Sequence, residues 1–189
     1  MVRFEPQKRH FYVAIVAVLA SLFNLNVDPK SFSHEESGVL SRRKGDIFKY
    51  ITDIKDIPEW FPVFRNVYEL DSKVLRVGKR YKGEVKLAQG YSYTMDFEVK
   101  ELVRGSKVVI SSENLFKPVM TAQVSTSKNG KSTLSFSCYY DRPSALFQYT
   151  LGPILKFLTM QHMRHSLFVL HWLLPPSVSN GPDSSTFAS

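Results

Sequence analysis

Three histidines, His162, His165 and His171, lie close together toward the C-terminal end of the 189-residue chain. The three-residue step from His162 to His165 would turn both imidazoles to one side of a helix, as a metal site requires. Such a site needs further donors, and no Asp or Glu lies between Asp141 and Asp183. The histidines are therefore read as surface or packing groups, and no metal or other cofactor is assigned. The single cysteine, Cys138, excludes both an intramolecular disulfide framework and the usual cysteine-rich zinc site. It shares the parity of Phe136 and Tyr140, which makes it a small buried hydrophobe, and a nucleophile would need a base partner that the sequence does not place.

Four tyrosines form a more informative group. Tyr81, Tyr91, Tyr93 and Tyr140 all fall on the inward parity of segments that alternate apolar and polar residues. A phenol buried dry and without a partner costs ~1–3 kcal/mol. The hydroxyls are then either polar handles in a cavity or groups that reach the sheet rim and touch water, and both readings stay open.

The elements that must position these residues are legible in the spacing. From Tyr91 to Val103, Tyr91, Tyr93, Met95, Phe97 and Val99 alternate with Ser92, Thr94, Asp96, Glu98 and Lys100, the period-2 signature of a strand with one wet face. Tyr81, Gly83, Val85 and Leu87 alternate in the same way, and the chain turns near Ala88-Gln89-Gly90. Further strands are expected at Arg65–Leu70, Lys107–Ser112, Lys117–Ser127 and Lys131–Asp141, the last two joined by an Asn129-Gly130 hairpin turn. Ser31–Leu40 reads as a first strand. A helix over Ile47–Ile54 follows with Asp46 as its N-cap, and then a short turn of helix around Pro58-Glu59-Trp60-Phe61-Pro62, which locks against the sheet. A long helix is expected from Pro143-Ser144 to Leu174, with a kink or break at Gly152-Pro153. The fold class is α+β, a curved antiparallel sheet of about seven strands wrapped around the C-terminal helix, with two short helices after the first strand.

At the N-terminus, Arg3, Lys8 and Arg9 precede the uncharged apolar run Phe11–Phe23, which is short for a bilayer span of ~20 residues. With Val18-Leu19-Ala20 it reads as a secretory signal cleaved after Ala20; the alternatives are an uncleaved short anchor and a buried segment of the domain. The expected organisation is residues 1–28 as signal or anchor, 29–175 as one domain, and 176–189 as a disordered Ser-, Pro- and Gly-containing tail. The product is expected to be secreted or membrane-anchored. The formal charge of +8 is spread along the chain, and its densest run is Arg42-Arg43-Lys44. That run is a solvated turn or, more sharply, an anionic-lipid contact; without a basic helical face or binding motif, no nucleic-acid partner is assigned.

Three segments carry a resemblance to a known family: Gly45-Asp46-Ile47-Phe48-Lys49-Tyr50-Ile51-Thr52-Asp53, Pro58-Glu59-Trp60-Phe61-Pro62 and Val77-Gly78-Lys79-Arg80-Tyr81. Together they resemble the START-like helix-grip superfamily, in its polyketide cyclase/dehydrase and lipid-transport branch. The resemblance covers about residues 31–174 and implies a hydrophobic ligand held between sheet and C-terminal helix. The apolar N-terminal segment and the apolar helix end Ser166–Leu174 depart from the family pattern.

The parity of the strands and the stripe of the helix then nominate the lining. Tyr81, Tyr91, Tyr93, Met95, Phe97, Met120, Phe136 and Tyr140 face Leu155, Leu158 and Met163 across a space of about 300 Å³ or more. The expected function is non-catalytic carriage or sensing of a lipid, sterol, isoprenoid or aromatic compound, with a membrane surface as a further partner and the oligomeric state left open. A cyclase/dehydrase-like enzyme in the same cavity would use Tyr or His as acid or base. A protein-interaction module docking through the apolar C-terminal helix is the third reading.

Overall fold

The structure is a computed structural model that describes residues 6–72, 74–86, 90–126 and 131–176. Helix α1 spans Pro6–Asn24, and a 3-10 turn at Pro29–Phe32 leads into β1, His34–Leu40. Helices α2, Lys44–Thr52, and α3, Ile57–Trp60, precede six further strands: β2 Phe64–Glu69, β3 Arg80–Lys86, β4 Ser92–Val103, β5 Lys107–Ser111, β6 Pro118–Thr126 and β7 Ser132–Tyr140. Helix α4, Ala145–Leu173, closes the domain. The class is α+β, as the alternating segments and the long helical stripe require.

The seven strands form one antiparallel sheet in the order β1-β7-β6-β5-β4-β3-β2. Strands β2 to β7 are thus a meander, and β1 returns to pair with β7, His34 opposite Cys138 and Leu40 opposite Ser132. Along β4 the odd positions turn inward as expected, with Phe97 and Val99 buried, until a register shift between Val99 and Glu101 moves the inward side to Leu102. The Ala88-Gln89 part of the β3–β4 turn, the Asn129-Gly130 hairpin and the tail from Ser177 lie outside the described residues.

Several local expectations are corrected. The first strand begins at His34 because Asp28 caps the 3-10 turn, its carboxylate accepting from the Lys30 N–H at 3.0 Å. Helix α2 begins at Lys44 after Arg43, so Asp46 sits inside the first turn and makes no capping hydrogen bond. Its charge still favours that positive helix end. Helix α4 runs through Gly152-Pro153 without a break. Pro153 removes one ladder bond, and the first turns are held from outside the helix: buried Gln148 donates to the Tyr140 carbonyl at 3.0 Å and to the Arg142 carbonyl at 2.7 Å.

The core lies between the inner sheet face and the helices. Ile47, Phe48 and Ile51 of α2, Trp60 of α3 and Met163 and Leu170 of α4 are buried against Phe97, Val124, Leu134 and Phe136. Helix α4 crosses β1 closely at Gly38, where a Cβ would stand 3.4 Å from Leu167 Cδ2. Arg164 fixes the same crossing with a 2.9 Å ion pair to Glu36. The N-terminal segment is helical, and the chain after it is tied to the start of α4: Val27 N–H donates to the Pro143 carbonyl at 2.7 Å and Ala145 N–H to the Leu25 carbonyl at 2.9 Å. Among the described residues, no helix is long and apolar enough to cross a membrane.

Candidate functional site

Two neighbouring cavities lie between the sheet and the helices that cover it. The first, about 100 Å³, is lined by α2, α3, the inner face of β2 to β7 and Met163 of α4. The second, about 150 Å³, lies toward Cys138, Tyr140, Leu155, Thr159 and His162. Phe61, Phe64, Phe97 and Met120 line both and form the partition between them.

Eight of the eleven residues nominated by the sequence reach these walls. Tyr81, Phe97, Met120, Phe136 and Met163 line the first cavity, and Met95, Tyr140 and Leu155 join Phe97 and Met120 in the second. Tyr91, Tyr93 and Leu158 line neither. Tyr91 and Tyr93 are 69% and 47% exposed. Tyr93 has the parity of Met95 and Phe97, but cover grows along β4 from exposed Tyr93 through half-buried Met95 to buried Phe97, so the strand's first residues overhang the covered face. Leu158 is 49% exposed because α4 presents Leu155, Thr159 and Met163 inward in steps of four, which turns position 158 outward.

Neither cavity alone reaches the size expected from the sequence. Aromatic rings fill the space instead: Trp60 stacks on Phe136 with centroids 5.4 Å apart and planes at 6°, and on Phe61 at 5.5 Å. Phe64 meets Phe61 and Phe97 edge-on at 5.4 and 5.5 Å. Trp60 and Phe61, expected mainly to lock the short helices, do that and also form cavity wall. Phe64 and Val67 were not visible by alternation. A register shift between Phe64 and Asn66 puts both on the inner side at an odd spacing, which defeats a period-2 pattern.

Gly83 gives these rings their room. It is buried on β3, and a Cβ there would stand 2.7 Å from Phe64 Cε1 and 3.0 Å from Phe97 Cε2.

Polar groups are few and sit at the ends. Tyr140 Oη shares a 2.5 Å hydrogen bond with Thr159 Oγ1 and donates to the Leu155 carbonyl at 3.4 Å. Burial pushes the Tyr140 phenol up to about 12, so it stays a neutral hydrogen-bonding group. His162 beside it is held below the ordinary imidazole range by burial and by His165, which favours the neutral ring. In the first cavity Tyr81 is half-buried, and burial with nearby Glu69 and Asp71 raises its phenol to about 12. Lys79 lies over the Tyr81 ring, 5.3 Å from its centroid, and its buried ammonium pairs with Glu69 at 2.7 Å. Burial alone pushes the Cys138 thiol up to about 12, the behaviour of an inert buried hydrophobe. Among the described residues no carboxylate lines either cavity, and no group of three or more His, Cys, Asp or Glu could hold a metal ion.

No protein-family model and no curated protein matches the sequence. Solved structures do match. A protein of Chromobacterium violaceum is similar over 77% of this chain and 99% of its own, with a TM-score of 0.60 and 19% identity. The START superfamily protein of Mycobacterium smegmatis is similar over 75% of this chain and 96% of its own, with a TM-score of 0.60 and 13% identity. The chain has the START-like helix-grip fold. The di-domain ARO/CYC StfQ of the steffimycin biosynthetic pathway shares it, over 76% of this chain and 50% of that one, with a TM-score of 0.60 and 14% identity. In helix-grip terms, the grip here is the curved face of the seven-stranded sheet, and the gripped element is α4.

Proposed function

We propose that the protein binds a hydrophobic small molecule, a lipid, sterol, isoprenoid or aromatic compound, between sheet and α4, and carries or senses it without transforming it. The observation that carries this reading is the pair of apolar cavities sharing one wall, Phe61, Phe64, Phe97 and Met120. A ligand that displaced these side chains would join the two spaces into one elongated site. At its far end Tyr140, Thr159 and His162 offer a hydroxyl or carbonyl group of the ligand its hydrogen bonds. A carrier needs no more than such handles. A cyclase or dehydrase would need an acid and a base converging on one reacting atom; here the Tyr140 hydroxyl is engaged with Thr159 and the Leu155 carbonyl, which leaves the His162 imidazole without a hydrogen-bonded acid beside it. The neighbours named START superfamily protein and ARO/CYC share the fold and are compatible with either chemistry.

Ala122 provides the test. It lines the first cavity and sits between Val108 of β5 and Phe136 of β7 in the sheet. Ala122→Phe is expected to keep the thermal midpoint near that of the parent while abolishing uptake of a fluorescent fatty acid or sterol, because a ring there fills empty space. Overpacking a dense core instead costs ~1–3 kcal/mol. A collapsed midpoint, together with no uptake by the parent protein, would contradict the cavity and favour docking through α4.

A further inference from the structure

Helix α1 carries no charged residue from Phe11 to its end, and the next charge is Asp28. Its described side chains, from His10 onward, are exposed except half-buried Leu22. Phe11, Val16, Val18 and Phe23 are each more than half exposed, and Val13, Ile15 and Leu19 fill the positions between, so the helix is apolar on every side. A helix of that kind is stable inside a core or in lipid, and among the described residues its contact with the domain, along α4, leaves every described side chain but Leu22 exposed. The uncharged part is roughly 20 Å long, short of the ~30 Å hydrocarbon layer. It suits one leaflet or the interface.

The outer face of α4 continues this surface. Tyr149, Leu151, Ile154, Phe157 and Leu158 are exposed on the half of α4 nearest the point where Leu25 and Val27 bond to Ala145 and Pro143, and α1 packs against α4 there. Farther along, Phe168 and Trp172 are 62% and 72% exposed. A tryptophan such as Trp172, with its amphipathic ring, settles at the lipid headgroup level. Charge favours the same partner. Lys8 and Arg9 precede the apolar part of α1, Lys156 is the charged residue of α4 outside the Arg164–Glu36 ion pair, and no carboxylate occurs between Asp141 and Asp183. An acid-free apolar surface with sparse basic residues complements an anionic bilayer.

We propose that α1 and the outer face of α4 form a retained membrane-contact surface that seats the protein on an anionic lipid bilayer without crossing it. The inner face of the same helix walls the cavities through Leu155, Thr159, His162 and Met163, so contact with lipid falls directly over the binding site. The proposal stands whether or not the cavities are occupied.

Flotation of the full chain with phosphatidylcholine vesicles, with and without phosphatidylserine, tests it. The parent is expected to float, more strongly with phosphatidylserine, and the added binding should weaken as salt rises. Ile154→Glu/Phe157→Glu and, separately, Val16→Glu should each reduce partitioning at least about tenfold while keeping the parent's thermal midpoint, since all three positions are exposed. Four results would overturn the proposal: a parent that stays unbound, variants that float like the parent, a host-purified chain lacking the residues before Ser21, or a light-scattering dimer abolished by Phe157→Glu. The last would assign this face to a second copy of the chain.

Discussion

Phe97→Ala is expected to lower the stability of the fold by about 3–5 kcal/mol, the usual cost of deleting a buried aromatic ring. For a chain of this size that is a fall of roughly 6–20 °C in thermal midpoint. Phe97 is 5% exposed, meets Phe64 edge-on at 5.5 Å, and forms part of the partition between the two cavities. Its neighbour Glu98 points to the wet face and makes a 3.0 Å surface ion pair with Lys100. Such pairs contribute little, so Glu98→Ala should stay within about 0.5 kcal/mol of the parent. Denaturant titration of the two variants decides the matter. Equal shifts would mean that the odd positions of β4 do not face the core, and the cavity-lining assignment would go with them.

Gly83→Val should act in the opposite sense on the same rings. At 2.7 Å from Phe64 Cε1 and 3.0 Å from Phe97 Cε2, a Cβ at position 83 overlaps both. Phe64 is hemmed in by Phe61 and Phe97, so its open direction is toward the cavities that it lines. The valine is expected to cost about 1–3 kcal/mol and to close the space against a fluorescent fatty acid, whereas Phe97→Ala opens it. Gly83→Ala should show a smaller effect of the same sign. An unchanged midpoint with unchanged uptake in Gly83→Val would show that the rings do not depend on this glycine for their position.

The two variants also show why some of the site was legible and some was not. Met95, Phe97 and Val99 alternate strictly with polar residues, and alternation is what a half-buried strand imposes, so their side was readable. Phe64 and Val67 share a face across an irregularity in pairing, and nothing in their spacing marks it. Tyr91 and Tyr93 have the right parity, yet parity says which side a residue takes and not how far the covering elements extend. On α4 the apolar residues outnumber the inward positions. Gln148, Gly152 and Ser166 are buried while Leu151, Ile154 and Leu158 are exposed. Hydrophobicity alone could not phase a helix that also has an apolar outer face. The size of the cavity was likewise hidden, because it depends on how Trp60, Phe61 and Phe64 stack.

Native mass spectrometry of the protein purified from its own host, followed by organic extraction, tests the central claim most directly. The predicted result is the chain mass plus one non-covalently held hydrophobic molecule, released by solvent and missing from Ala122→Phe. The chain mass alone, with nothing extractable and no uptake of fatty acid or sterol afterwards, would contradict a ligand-binding function for the space between sheet and α4.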